Sequence, residues 1–365
     1  MKKISVILAL ILCMSMLAGC AGTPVVYYTN CTCPVEAHQE AQVAAPAETA
    51  APVQAELAEG ELKTGLALVT DVSGSKSAAE EDGEAKYDVT IVAVTVDANG
   101  VIRDCIIDGI AASVTFDSNG AITTDMTKSI QTKNELGENY GMVAWGGAIA
   151  EWDEQAAALA AFAVGKTVEE LRGGAIDDTG RAPEGSDLAS SATIYLGGYV
   201  SAIEDAVANA QNLGAQTGDQ LKLAVMPSNG SSTSAEGLEK DGNAQLDVDV
   251  AVVTMKDGTI TSCMIDSVQA KVGFDHNGSI SSDLTIPVQT KNQLGTNYGM
   301  VAYAGAVAEW NEQAASFAAY VTGKTPAEVA GIAVNERTVP TEADLTTSVT
   351  IAIGGFQALI AKAAQ

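Results

Sequence analysis

Hydrophobic residues along this chain fall into two kinds of run. The first is short and β-branched. "YDVTIVAVTV" (Tyr87 to Val96) has the composition of a strand, and the Asn99-Gly100 pair after it predicts a tight turn into a returning strand, "VIRDCII". A third run, "ASVTF", passes through a second Asn-Gly pair, Asn119-Gly120, into "AITTDM". Together these segments predict an antiparallel meander. The second kind of run has helical spacing. Met142, Trp145, Ile149, Trp152, Ala156, Leu159 and Ala163 lie three and four apart, which predicts one helix with its tryptophans turned to the core.

The same order then recurs. "QTKNELGENYGMVA" (Gln131 to Ala144) returns as "QTKNQLGTNYGMVA" (Gln289 to Ala302), with twelve of fourteen residues identical. Asp88 matches Asp247 at an offset of 159, Cys105 matches Cys263 at 158, and Thr193 matches Thr350 at 157. Both one-residue steps fall where turns are expected, which is the pattern a tandem duplication of whole domains leaves. The helical stripe recurs as Met300, Tyr303, Val307, Trp310, Ala314 and Phe317. The predicted class is therefore α+β: two tandem homologous domains, 61–211 and 219–365, each an antiparallel β-meander packed with helices.

The "GKT" tripeptides at Gly165 to Thr167 and Gly323 to Thr325 are not phosphate loops. Ala160 and Ala318 occupy the position where such a loop needs a glycine. Thr167 with Glu170, and Thr325 with Glu328, instead have capping-box spacing, so each tripeptide reads as the stop of one helix and the start of another.

The N-terminus changes the setting. Lys2 and Lys3 precede a short apolar core, and "LAGC" (Leu17 to Cys20) closes the segment. That core is too short to span a bilayer, so residues 1–19 read as an export signal. The ending resembles the bacterial lipobox, which implies diacylglycerol on Cys20 and a mature protein held outside the cytoplasm. Residues 20–60 are rich in Ala, Pro, Glu and Thr and read as a flexible stalk. Cys31 and Cys33 within it lack the partners of a zinc or haem motif. Apolar residues make up 47% of the chain, enough for globular cores, while the net charge of -27 excludes nucleic acid as a partner.

Candidate chemistry is narrowed by what recurs. His38 and His276 have no counterparts in the other half, so a duplicated histidine-based catalytic or metal site is excluded. Cys105 and Cys263 recur, each alone in an apolar strand, and read as small hydrophobes. Two polar stretches recur without an evident packing role. One is "TKNxLGxNYGM". The other is "DLASSAT" (Asp187 to Thr193), matched by "DLTTSVT" (Asp344 to Thr350), which is expected to open the last helix of each half. Asp187 or Ser190 there has a plain reading as a helix cap. The hydroxyl cluster is larger than a cap requires, and a helix N-terminus also suits a phosphate.

Asp-x-x-Ser-x-Ala-Thr before a terminal helix resembles the flavinylation motif of FMN-binding domains. These occur in ion-pumping quinone reductases and in lipoproteins of Gram-positive extracellular electron transfer. The resemblance implies two covalent FMN groups, joined by a flavin transferase through phosphoesters to Thr193 and Thr350. It assigns Asp187 and Asp344 to the motif's acidic position and Ser190 and Thr347 to its hydroxyl position. Ser191 and Ser348 stand where the motif has glycine, and Val349 replaces its alanine. The repeated loop then supplies ring neighbours: Lys133, Leu136, Gly137, Tyr140 and Met142, with Lys291, Leu294, Gly295, Tyr298 and Met300 in the second half. The implied protein is an electron carrier on the outer face of a Gram-positive-type membrane; an oxidoreductase stands behind it as a reading, because no duplicated acid–base pair accompanies the implied flavin. The carrier would take electrons from a membrane quinone or reductase and pass them to soluble or mineral acceptors. No metal is implied. The competing reading is a duplicated cell-surface binding lipoprotein without a redox role.

Overall fold

A computed structural model describes residues 57–365. The expected signal segment, the lipidation at Cys20, most of the stalk, Cys31, Cys33 and His38 lie outside the described residues.

Strands β1 (Lys63–Asp71), β2 (Gly83–Val96) and β3 (Ile102–Phe116) form one antiparallel sheet in the order β1-β2-β3. In the second half, β4 (Gln220–Ser228), β5 (Gly242–Lys256) and β6 (Thr259–Phe274) form another in the same way. Asp97 holds the β2–β3 turn by accepting from the backbone N–H groups of Asn99 (2.8 Å) and Val101 (3.0 Å). The first half adds α1 (Lys133–Leu136), α2 (Met142–Gly146), α3 (Trp152–Ala163), α4 (Val168–Ala175) and α5 (Gly197–Ala208). The second half adds α6 (Lys291–Leu294), α7 (Met300–Ala304), α8 (Trp310–Val321), α9 (Pro326–Ala330), α10 (Ala343–Thr346) and α11 (Gly354–Ala363). Among the described residues, no helix is long and apolar enough to cross a membrane.

Three differences from the sequence reading have physical causes. β3 is a single strand through "VIRDCII" and "ASVTF", because β2 pairs with it along its whole length from Gly83↔Phe116 to Val96↔Ile102. "AITTDM" contributes only a bridge, Phe116↔Ile122, and the third strand is β1. The long predicted helix is broken into α2 and α3. Gly147 takes the left-handed φ of 62° and caps α2, while the buried Glu151 restarts the helix with a capping box closed by Glu154. The break turns Trp145 to solvent and leaves Trp152 in the core, so the stripe does not bury both tryptophans.

The core has three parts. One lies between the sheets and combines Leu66, Tyr87, Ile91 and Ile110 from the first half with Leu246, Val248, Val250 and Val268 from the second. Where β3 and β6 end, Phe116 and Phe274 stack in parallel with ring centroids 4.0 Å apart. Each ring also lies against a glycine of its own sheet. A Cβ at Gly83 would come within 2.3 Å of Phe116, and one at Gly242 within 2.3 Å of Phe274. The other two parts lie on the remaining faces of the sheets, where α3, α4 and α5 cover the first and α8, α9 and α11 the second. Reciprocal bonds tie the halves: Ala78 N–H donates to Gly278 C=O and Ala235 N–H to Gly120 C=O, both at 2.8 Å. The two halves thus share one core between two cores of their own, and the described residues cluster as one compact unit.

Both "GKT" segments end and restart helices as expected. Thr167 and Glu170 cap α4 reciprocally, Thr325 and Glu328 cap α9, and Pro326 opens α9.

Candidate functional site

The repeated loop is stitched onto β3. Buried Asp108 accepts from the N–H groups of Gly109 (2.7 Å) and Asn134 (3.1 Å), while the Asn134 side chain donates to the Ile107 carbonyl (3.0 Å). Thr132 and Glu135 form a capping box on α1. Asp266, Asn292 and Ile265 repeat the arrangement in the second half, and Thr290 with Gln293 repeats the box.

This stitching lays Lys133 over aromatic rings. Its Nζ stands 5.3 Å from the Tyr140 centroid and 4.9 Å from that of Trp152. Lys291 does the same over Tyr298 (5.4 Å) and Trp310 (4.7 Å). Burial lowers both lysines below the ordinary ammonium value, and nearby carboxylates oppose the shift: Asp88 and Asp108 for Lys133, and Asp249, Asp247 and Asp266 for Lys291. Trp152 donates to the Tyr199 hydroxyl at 3.0 Å. Phe356 packs edge-on against Trp310 in the other half. There Tyr298 donates instead to Gln269 (3.0 Å). Tyr140 and Met142, like Tyr298 and Met300, are half-buried against the outer cores. Leu136 and Leu294 are half-buried, and Gly137 and Gly295 take φ of 47° and 48°, a turn that favours glycine.

The hydroxyl stretch does not open the last helix. Leu188–Ser190 forms a single 3-10 turn, Asp187 makes no side-chain cap bond, and α5 begins only at Gly197. The helix start is fixed there because Leu196 and Gly197 N–H groups donate to the Gly180 carbonyl (2.8 and 3.0 Å). In the second half Asp344 lies in α10, Thr347 and Ser348 follow it, and Ile353 N–H donates to Thr338 C=O (2.9 Å). A helix-dipole phosphate site at Thr193 or Thr350 is therefore not what the fold builds. Asp187, Ser190, Ser191, Asp344 and Thr347 are exposed on the approach to the threonines.

What holds each threonine is a buried glutamine. Gln155 Oε1 accepts from Thr193 N–H (2.8 Å), Thr193 Oγ1 (3.3 Å) and Ile194 N–H (3.2 Å), while Gln155 Nε2 donates to Ala150 C=O (2.8 Å). Gln313 repeats this with Thr350 N–H (2.8 Å), Thr350 Oγ1 (3.2 Å) and Ala308 C=O (2.8 Å). Gln155 lies one helical turn from Trp152, so the lysine–aromatic cluster and the threonine flank the same turn of α3. Arg181 donates to the Thr193 carbonyl, placing a cation beside that residue. Val339 holds the corresponding turn position, bonded to Asn335 as Arg181 is to Asp177.

Asp108, Glu151, Gln155 and their counterparts escaped the sequence reading of the site. Their signal was a polar residue recurring at an offset of 158 inside an apolar run. Cys105 and Cys263 lie among apolar groups, and burial pushes both thiols up to about 12, which disfavours the reactive thiolate. Clefts of about 490 and 650 Å³ adjoin these cysteines; neither is lined by Thr193 or Thr350, which sit on open surface. No group of three or more His, Cys, Asp or Glu among the described residues is arranged to hold a metal. Comparison with protein-family models, curated proteins and solved structures finds no match to this chain.

Burial pushes the Asp266 carboxyl up to about 6, against the bonds from Thr290, Asn292 and Ser267 and the charge of Lys291. A folded value above the ordinary 3.8 means stability present at low pH and lost as pH rises through about 6. Asp266→Asn keeps an oxygen for the two backbone donors and removes the titration. The stability of the wild type minus that of the variant is expected to fall between about pH 4 and pH 7 in urea unfolding. A difference independent of pH would show that Asp266 does not titrate in this range.

Proposed function

We propose that this chain is a lipid-anchored extracellular electron carrier bearing two covalent FMN groups, one on Thr193 and one on Thr350. The observation that carries the reading is the repeated clamp. In each half an exposed threonine is held through its backbone by a buried glutamine, leaving a fixed hydroxyl at the surface beside an aromatic–lysine cluster. The residues suit the group. A hydroxyl can take a phosphoester, exposed Trp145 and Tyr195 offer flat apolar surface, and Arg181 offers a phosphate a cation at the first site.

When bound, FMN supplies the electron chemistry. The chain does the rest. Gln155 and Gln313 fix the attachment loops. Lys133 and Lys291 each place a half-buried positive charge that favours added negative charge nearby. Covalent attachment also suits an exported protein, because a non-covalent site empties when free ligand is diluted below its Kd. A flavin transferase would load both threonines, a membrane quinone or reductase would donate electrons, and soluble or mineral acceptors would receive them. Acylated Cys20 would keep the protein at the outer membrane face.

The test is intact mass and absorbance of protein from a host with a flavin transferase and from one without. Two added FMN masses and a yellow protein are expected from the first host only. Protein without added mass from the first host would overturn the flavoprotein reading in favour of a duplicated non-redox binding lipoprotein.

A further inference from the structure

We propose that Trp145 and Tyr303 are positioning residues of the two sites, each presenting an aromatic face on which the ring of the flavin tethered nearby stacks. The proposal rests on the flavoprotein reading above. Trp145 is 89% exposed and Tyr303, its counterpart, 90%. Val143 and Ile149 beside the first, and Val301 and Val307 beside the second, are exposed as well. Burying a large apolar side chain stabilises a fold, and this fold gains almost nothing of that from either ring. The same omission at equivalent positions in both halves marks a surface built to be covered.

Its support is hydrogen-bonded from below. Glu151, itself buried, accepts from the N–H groups of Met142 (2.8 Å) and Val143 (3.0 Å) at the start of α2. Glu309 does the same for Met300 (2.8 Å) and Val301 (3.1 Å). The indole lies against Gly141, where φ is 83° and an added Cβ would stand 2.3 Å from Trp145 Cδ1. Gly299 and Tyr303 repeat the contact at 2.5 Å. Each ring therefore lies over a glycine backbone while its outer face meets solvent.

The position identifies the occupant. Gln155 links the Ala150 carbonyl to the Thr193 N–H, so the segment carrying Ile149 borders the attachment loop. Gln313 links Ala308 to Thr350 in the same way. A hydroxyl for a phosphate tether and a flat apolar face on adjoining segments match the two ends of FMN. A second copy of this chain is a poor occupant, because a net charge of -27 opposes self-association.

The test uses Thr350→Ala protein from a transferase-containing host, so that the single flavin sits on Thr193. Flavin emission yield and lifetime are compared with those of the same protein carrying Trp145→Ala or Trp145→Phe, at equal flavin mass per chain. A stacked indole quenches flavin emission, so Trp145→Ala is expected to brighten it several-fold, with Trp145→Phe also brighter but retaining tight ring anisotropy. Circular dichroism of each variant checks folding, and Tyr303 is tested in Thr193→Ala protein. Flavin present with emission, lifetime and anisotropy unchanged in Trp145→Ala overturns this proposal alone. Parent protein without flavin mass overturns the flavoprotein reading and this proposal with it.

Discussion

Phe116→Ala is expected to destabilise both halves of the molecule together, by about 3–5 kcal/mol. That is a large share of the 5–15 kcal/mol typical of a folded domain. The phenyl ring is fully buried, stacked on Phe274 of the other half, and seated against Gly83. Removing it opens a cavity in the core that both sheets share, where the opposing strands are fixed by their own helices and cannot close in. Hydrogen exchange read by mass spectrometry on peptides from β2 and β5 checks the result. Protection is expected to fall in both strands. Loss confined to β2 would show that the halves unfold independently and that the shared core contributes little.

Thr193→Ala is expected to remove one FMN from the intact mass and Thr350→Ala the other, each leaving its partner loaded. The double variant is expected to be colourless yet folded. The reason lies in the clamp. Thr193 is held chiefly through backbone N–H groups at 2.8 Å and, next to it, 3.2 Å, which alanine retains. Its hydroxyl adds one long, part-buried bond at 3.3 Å, worth about 1 kcal/mol. The hydroxyl and the backbone clamp are thus separable at this residue. A double variant that keeps two flavins would move the attachment elsewhere, and one that unfolds would give the threonine a structural role instead.

The local elements were legible because their causes are local. Asn-Gly turns, β-branched runs, and threonine–glutamate pairs at capping spacing each act within a few residues, and β2, the β2–β3 turn, α4 and α9 stand where those signals place them. Candidate residues were found for a related reason: recurrence singled out Lys133, Tyr140, Thr193 and their counterparts without any knowledge of contacts. Tertiary structure decided everything that depends on a distant partner. β3 continues through Asp108 to Phe116 because β2 runs alongside it. The last helix waits until Gly197 because the carbonyl of Gly180 takes its first N–H groups. Spacing alone put Trp145 and Trp152 on one stripe, but Gly147 and the buried Glu151 break that helix and separate an exposed ring from a core one. The glutamine clamp and the core shared by two halves join residues tens to hundreds of positions apart. No periodicity encodes such a pairing, since it is set by which apolar faces are left to bury once each sheet and its helices have formed.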